Sequence, residues 1–559
     1  MKNQHMSLYL ASFFLLFLGI ETPGFASKNN PDSLEIKIDA ILKNFIGKDR
    51  PGATIGIIDH GRLVYQKGYG MADLEKKIPN HPDVMYKIAS VSKQFTATAV
   101  SQLIRQNKLS LHDDIRTYIP EFPDYGKRIS VSHLLYHTSG IRDYMVLMWL
   151  TGKSFEEPFL NRDALEIINR QGSLNFTPGQ RCVYSNSNYI LLAEIIKRIT
   201  GRSLSDYADE NIFKGLKMKQ SGFESYKIPG NHTLAISYKK NENKYRSYRN
   251  GNHATGDGGM STTLNDLIKW DQEFYDSTSV NQDILKRGAL ESGNILSYGR
   301  GIMFNTYRTQ SVQTHPGAFL GYRSEILRFP KLQISVILLG NSDEINPEEI
   351  TRKIADIYVF KDKMDLSNDE NPPSTLPVSY KAFTGKYEVA LNLFIDIREE
   401  NNQMIGQVGG QAAQTLYHEA GNTFKIGNTN DKAVFKTDSS GKVFQLNIVQ
   451  GQGTTKAVKL GFASGEVLGQ FAGTYYSDEQ KASYVFDIQD GALWFKTGTN
   501  PGVKAEIIIK YDVCYFSYQN LERATIKFSR GDTGRITGFT LSSGRVSGLK
   551  FEKKQRSIP

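Results

Sequence analysis

Residues 90–106 read SVSKQFTATAVSQLIRQ. Phe95, Ala99 and Leu103 recur at helical spacing with apolar neighbours between them, which predicts a helix over this stretch with one buried face. Ser90 and Lys93 stand three residues apart at its start, so their side chains can share one face of the first turn. A serine hydroxyl is a poor nucleophile until a neighbour accepts its proton, and an amine held away from water can be that neighbour. The pattern S-x-x-K is short. Ser439 with Lys442 and Ser547 with Lys550 repeat it in stretches that read as turns between strands.

Upstream, 53–58 and 63–68 form an extended pair joined through Asp59, His60 and Gly61, a hairpin pattern. Far downstream, 323–329 and 332–339 read as two strands parted at Pro330, and Pro347 opens a helix reaching Val359. Strands at both ends with helices between them predict one α/β unit over 27–365 whose sheet unites its termini. Residues 366–377, LSNDENPPSTLP, are polar with three prolines and read as a linker.

The remainder changes character to short alternating strands rich in glycine, and it repeats itself. Phe383, Gly385 and Tyr387 return as Phe471, Gly473 and Tyr475. Ile395, Asp396 and Ile397 match Phe486, Asp487 and Ile488, and Phe435 with Gly441, Lys442 and Val443 matches Phe528 with Gly534, Arg535 and Ile536. Two small all-β, barrel-like modules are expected, 378–465 and 466–559. They could cover a cleft, bind an apolar group or build an oligomer.

The whole chain of 559 residues is long enough for three to four domains. Its hydrophobic, aromatic and charged fractions of 39%, 11% and 23% exclude fibrous and disordered classes. With 68 basic against 58 acidic residues the net charge is +10, a weak field that identifies no nucleic-acid binder. The basic group Lys239, Lys240, Lys244, Arg246 and Arg249 reads as a solvated loop. Lys2, the apolar run 8–20 and the small residues Gly24 and Ala26 read as a signal peptide over 1–26, too short to stay as a membrane span, so a periplasmic or secreted protein is expected. Cys182 and Cys514 are expected as two free buried cysteines, not a disulfide framework.

Two further clusters carry chemistry. Tyr184 with Ser185 and Asn186 precedes a helix-like run: a tyrosine oxygen can relay a proton between nucleophile and leaving group, and an asparagine can orient substrate and lysine. Tyr248 and Asn250 share the spacing without that context. His315, Pro316, Gly317 and Ala318 precede the strand pair at 323. A histidine there could donate a hydrogen bond to substrate, and a glycine would let a strand edge approach a bound acyl group.

In this order S-x-x-K, Y-S-N and H-P-G resemble the penicillin-recognising serine hydrolase superfamily: class C β-lactamases, D-alanyl-D-alanine carboxypeptidases, D-aminopeptidases and serine esterases. YHTSGIRDY at 136–144 and GDGGMSTTLNDLIKW at 256–270 are similar to further segments of that family, over roughly 35–360. The resemblance implies a β-lactamase-like antiparallel sheet flanked by a helical subdomain, with tail modules similar to lipocalins, and no cofactor. It makes Ser90 the nucleophile, Lys93 and Tyr184 the proton carriers, Asn186 an orienter of substrate and lysine, and the N–H groups of Ser90 and Ala318 the oxyanion hole. His315 stands where many β-lactamases and carboxypeptidases carry Lys in K-T-G, which argues against strong carboxylate recognition and efficient β-lactam turnover, and H-x-G is similar to a variant among aminopeptidases and esterases.

The implied activity is hydrolysis, through an acyl-enzyme, of small peptides or peptide-like amides, D-amino-acid peptides among them. A carboxylesterase or weak β-lactamase would share the mechanism, and a noncatalytic envelope protein capturing peptide is the alternative of another class. G-x-S-x-G, H-E-x-x-H and a G-x-G-x-x-G following a strand are absent from the sequence. His133 and His137 lack the glutamate of a metalloprotease pair and read as structural histidines, and Asp257 reads as a turn residue.

Overall fold

The computed structural model describes residues 31–361 and 380–554, except 155, 224–229, 231 and 243 in the first span and 391–392, 401–402, 409–412, 428, 430, 451–452, 462–464, 499–501, 509–511 and 519–520 in the second. The expected leader (1–26) and linker (366–377) lie outside the described residues. No helix among those described is long and apolar enough to cross a membrane.

Six antiparallel strands make the central sheet: β1 (Ala53–Asp59), β2 (Arg62–Tyr69), β3 (Met303–Tyr307), β4 (Gln310–Phe319), β5 (Tyr322–Phe329) and β6 (Ile334–Gly340), in the order β2-β1-β6-β5-β4-β3. β1 pairs with β6 along its length, Ala53 opposite Gly340 and Asp59 opposite Ile334, so the sheet closes across nearly 300 residues of intervening chain. The sixth strand begins later than the sequence suggests, because Leu332 and Gln333 form the turn and Gln333 sits at φ +52°.

Alternation along the strands sorts the two faces. Val336 and Leu338 of β6 and Leu327 and Phe329 of β5 join a core with α1 (Pro31–Ile41) and α5 (Pro347–Tyr358). Ile337, Leu339 and Ile326 point the other way, into the larger core built by α2 (Lys93–Arg105), α3 (Tyr144–Leu150), α4 (Asn186–Thr200) and their neighbours. α4 ends at Gly201 in the left-handed conformation, φ +70°, where a glycine costs least. The predicted helix at 90 begins as a 3-10 turn, Ala89–Ser92, and becomes α-helical only at Lys93.

Two eight-stranded closed antiparallel barrels follow, the first closed by Tyr387 opposite Lys459 and the second by Tyr475 opposite Lys553. The repeat is physical. Tyr387 Oη donates to Phe383 O at 2.6 Å and Tyr475 Oη to Phe471 O at 2.8 Å, and each ring meets its barrel's equivalent phenylalanine, Phe435 at 5.7 Å or Phe528 at 5.9 Å. One proposed match slips by two residues. Gly385 faces Ile397 while Gly473 faces Phe486, so Ile397, not Ile395, is the counterpart of Phe486. Residues two apart share a face of a strand, and the apolar pattern alone cannot distinguish them. Stacked and tilted aromatic rings pack inside the second barrel (Tyr484 on Phe551 at 4.3 Å, Phe539 on Phe551 at 4.6 Å), whose eight strands enclose an interior that side chains can fill.

Three smaller expectations are corrected. The basic stretch is an antiparallel ribbon, Tyr238–Asn241 with Lys244–Ser247, whose Lys240 pairs with Glu344 and Arg246 with Glu156, each at 2.6 Å. Ser547 and Lys550 lie within a strand, Val546–Lys553, and not in a turn. Both cysteines are free, but only Cys514 is buried. Cys182 is exposed, its Sγ 3.4 Å from Tyr136 O.

The second barrel docks on the helical subdomain. Val146, Leu147 and Leu150 of α3 belong to the barrel's own apolar core, and Tyr484 Oη donates to Leu150 O. Arg142, 1% exposed, donates to Glu479 at 2.7 Å and to Ser547 O at 2.9 Å, while Asn175 exchanges two 2.8 Å hydrogen bonds with Arg545 O and Ser547 N.

Candidate active site

Ser90 sits in the 3-10 turn after Ala89, a non-glycine residue at φ +46°. Such conformations persist where the surroundings over-determine them, and here the loop 256–260 does so. Met260 O accepts from Ile88 N at 3.0 Å, Ser92 Oγ from Met260 N at 3.3 Å, and Gly256 O from Thr96 Oγ1 at 2.7 Å. Gly256 itself must be glycine, since at φ +127° a Cβ would lie 2.4 Å from Tyr189 O.

Lys93, fully buried, directs Nζ to three acceptors: Ser90 Oγ at 3.2 Å, Asn186 Oδ1 at 2.9 Å and Asp257 O at 2.5 Å. Asn186 and Asp257 hold two of the amine hydrogens, so the position facing Ser90 carries an N–H in the ammonium and a lone pair in the free amine. Tyr184 Oη lies 3.0 Å from the same Ser90 Oγ. Asn186 is fixed by Asp143, whose Oδ2 accepts from both its N and Nδ2 at 2.9 Å. Asp143 also caps α3 through Met145 N at 2.9 Å.

β4 brings the third cluster to the pocket. β3 pairs with it only from Gln310 to Thr314, leaving its outer edge free from His315 onward. Ala318 is exposed on that edge and lines the cavity of about 830 Å³ that also contains Ser90, Tyr184 and Asn186. Gly317 lines the same cavity and also meets a packing constraint. A Cβ there would meet Ile88 O and Ser324 Oγ at 2.3 Å, so the glycine seats β4 against the turn that carries Ser90.

His315, 1% exposed, is one end of a hydrogen-bonded chain. Ser185 N donates to His137 Nδ1 at 3.2 Å, which places that ring's hydrogen on Nε2, toward Tyr298 Oη at 3.2 Å. Pro316 O, 2.8 Å from His315 Nδ1, can only accept, so His315 carries its hydrogen on Nδ1 and accepts at Nε2 from Tyr298 Oη, 3.2 Å away. Both nitrogens of His315 are engaged within the protein instead of donating to a substrate. Burial, then the nearby Lys93 charge, pushes the imidazole of His315 down to about 3 and also holds His137 well below its ordinary value.

His137 is a satisfied structural histidine, yet its ring lies 4.3 Å from that of Tyr184. Asp257 enters the site through its main-chain carbonyl, which the sequence reading missed; its carboxyl, which accepts from Tyr144 Oη at 3.1 Å, is raised by burial to about 6. Tyr298 and Arg545 were also missed. Arg545 reaches the pocket from the second barrel, its guanidinium 4.7 Å from the centre of the Tyr184 ring, and no local pattern marks either residue.

An antiparallel sheet with a helical subdomain, and a lysine and a tyrosine converging on one serine hydroxyl between them, define the class of β-lactamase-like hydrolases. The profile of the family described as Beta-lactamase matches residues 38–359, more than half of the sequence, and the chain belongs to that family. It is 25% identical over 560 residues to a D-aminopeptidase of Brucella anthropi, covering 95% of this chain and all of that one. It is also 25% identical over 395 residues to penicillin-binding protein 4* of Bacillus subtilis (strain 168), covering 66% of this chain and 86% of that one. Among solved structures, the octameric penicillin-binding protein homologue from Pyrococcus abyssi superposes with a TM-score of 0.52 at 22% identity, over 77% of this chain and 99% of that one, a likeness of fold.

Proposed function

We propose that this chain is an exported serine peptidase that cleaves small D-amino-acid peptides and amides through an acyl-enzyme on Ser90. The observation that carries the reading is the convergence of Lys93 Nζ and Tyr184 Oη on Ser90 Oγ, at 3.2 and 3.0 Å. Ser90 Oγ attacks the amide carbon as its proton passes to the Lys93 amine. The oxyanion that forms is held by the N–H groups of Ser90 and Ala318. Tyr184 delivers a proton to the departing nitrogen, the C–N bond breaks, and water then enters by the same proton route to release the acid.

The D-aminopeptidase relative, aligned along 95% of this chain and so across both barrels, supports the choice of D-amino-acid substrates. The barrel turn at 543–545, which closes one side of the pocket, supports a small one. Export rests on the leader-like pattern of 1–26. The test is kcat/KM for D-alanine amide, L-alanine amide and an ester of the same acyl group. A D-amide lead over the L-amide of at least about tenfold is expected, within the range that one well-placed contact difference provides. Equal D and L rates overturn the stereochemical reading, and hydrolysis of the ester alone makes the chain an esterase.

A further inference from the structure

Arg545 lies in the turn between the last two strands of the second barrel, Ile536–Ser543 and Val546–Lys553, and the acyl chemistry gives it no task. Its main chain is firmly held, the carbonyl accepting from Asn175 Nδ2 at 2.8 Å and from Asp143 N at 3.3 Å. Its side chain is 44% exposed and makes one polar contact among the described residues, Nη1 to Asp143 Oδ2 at 3.4 Å. That oxygen already accepts two 2.9 Å hydrogen bonds from Asn186. The guanidinium thus lines the pocket with one of its five N–H donors engaged among the described residues, and it carries the fork geometry that matches a carboxylate.

The other charges around the cavity are largely committed. Glu344 is held by Lys240 and Tyr245, Asp343 accepts from Lys240 N at 3.1 Å, Glu348 is held by Arg352 and Asp257 by Tyr144, while Arg323 donates to the carbonyls of Leu320 and Tyr322. Of the cations lining the cavity, Lys87 and Arg545 remain, and of these two Arg545 lies over the ring of Tyr184, 4.7 Å from its centre, where Lys93 Nζ also lies at 4.9 Å. Tyr184 is the group that meets the departing nitrogen. A carboxylate two bonds from that nitrogen, the α-carboxylate of the leaving residue, falls beside it.

We propose that Arg545 is a specificity-determining residue that binds this carboxylate, so that the preferred substrate is a short peptide whose leaving residue ends in a free α-carboxylate. The second barrel thereby supplies, from about 230 residues beyond His315, the cation that the neutral histidine on β4 does not offer. This rests on the peptidase reading for which bond is cleaved, but the recognition itself can be measured without turnover.

The experiment is calorimetric binding of D-alanyl-D-alanine and of its C-terminal amide to the full chain carrying Ser90→Ala, repeated with Arg545→Gln and with Lys87→Met added singly. The free acid is expected to bind at least tenfold more tightly than the amide. Arg545→Gln reduces that ratio below about two while leaving the amide's affinity within twofold, and Lys87→Met leaves the ratio in place. Equal binding of acid and amide, no binding of either, an equal loss of both on Arg545→Gln, or a preference abolished by Lys87→Met overturns the proposal. Failure of the peptidase reading shows elsewhere, as a wild-type chain that forms no acyl adduct and releases no product.

Discussion

Tyr184 and Lys93 converge on one oxygen, Ser90 Oγ, and their substitutions should separate by role. Tyr184→Phe keeps the ring, its packing on His137 and the cations near it, and removes only the hydroxyl 3.0 Å from Ser90 Oγ. Its kcat should fall by about 10²- to 10³-fold with little change in melting temperature, the size of a lost proton-transfer group. Lys93→Met should be as severe and should also release Asn186 and the Asp257 carbonyl from their shared donor. Ser90, Lys93, Tyr184 and Asn186 were legible in the sequence because each lies in a short pattern at a helix start. Tyr298 was not, since its part in the site is two long-range hydrogen bonds, to His137 and His315, that leave no local periodicity.

The same chain of rings sets an acid limit. Burial keeps His315 and His137 neutral in the folded protein, while in the unfolded chain each gains a proton below about 6.5. The unfolded state then binds more protons, so their contribution to stability is present above 6.5 and is lost as pH falls toward 3. Asp257 works in the opposite sense: raised to about 6, it favours the fold below its ordinary carboxylate range and loses that contribution as pH rises through 6. With two histidines against one carboxyl, the melting temperature is expected to drop between pH 6.5 and 4, and His315→Asn should make the drop shallower. A melting temperature that rises across that window contradicts this assignment.

At the scale of elements, the site depends on how closely β4 approaches the turn before α2. Gly317→Ala would place a methyl 2.3 Å from Ile88 O, and the backbone must move to admit it. A cost of about 1–3 kcal/mol in stability is expected, with a loss of kcat larger than any rise in KM because the moved segment carries Ser90. Kinetics and a denaturant melt of that variant check both. H-P-G was visible in the sequence, but the packing constraint on its glycine was not: a close approach between β4 and residue 88 follows from the sheet order, and only three dimensions show which atom fills the space. Alternation identified the strands of the barrels, yet it allowed a two-residue slip in matching Ile395 to Phe486, which the ladder register removes.

At the scale of the whole molecule, the second barrel is part of the hydrolase and not an appended unit. Arg142, buried in the helical subdomain, reaches Glu479 and Ser547 O across 337 and 405 residues of chain, and the turn next to Ser547 forms one wall of the pocket. Arg142→Ala leaves Glu479 and a barrel carbonyl without their shared donor and should cost about 2–5 kcal/mol. It should also loosen the turn at 543–545, so that kcat/KM for longer peptides rises relative to that for dipeptides. Unchanged size preference would show that the barrel closes nothing. The repeat and the barrels were legible from glycine spacing and alternating apolar residues, whereas their docking was not, because the interface is built from single side chains hundreds of residues apart.

Whether Ser90 carries the acyl group is read by intact-mass spectrometry. Purified protein is exposed briefly to an activated ester, a D-amino amide and a penicillin, beside Ser90→Ala. An added acyl mass is expected on the wild type with at least one of the three and none on Ser90→Ala. An adduct of equal yield on both proteins, or product release that continues in Ser90→Ala at the wild-type rate, contradicts an acyl-enzyme on Ser90.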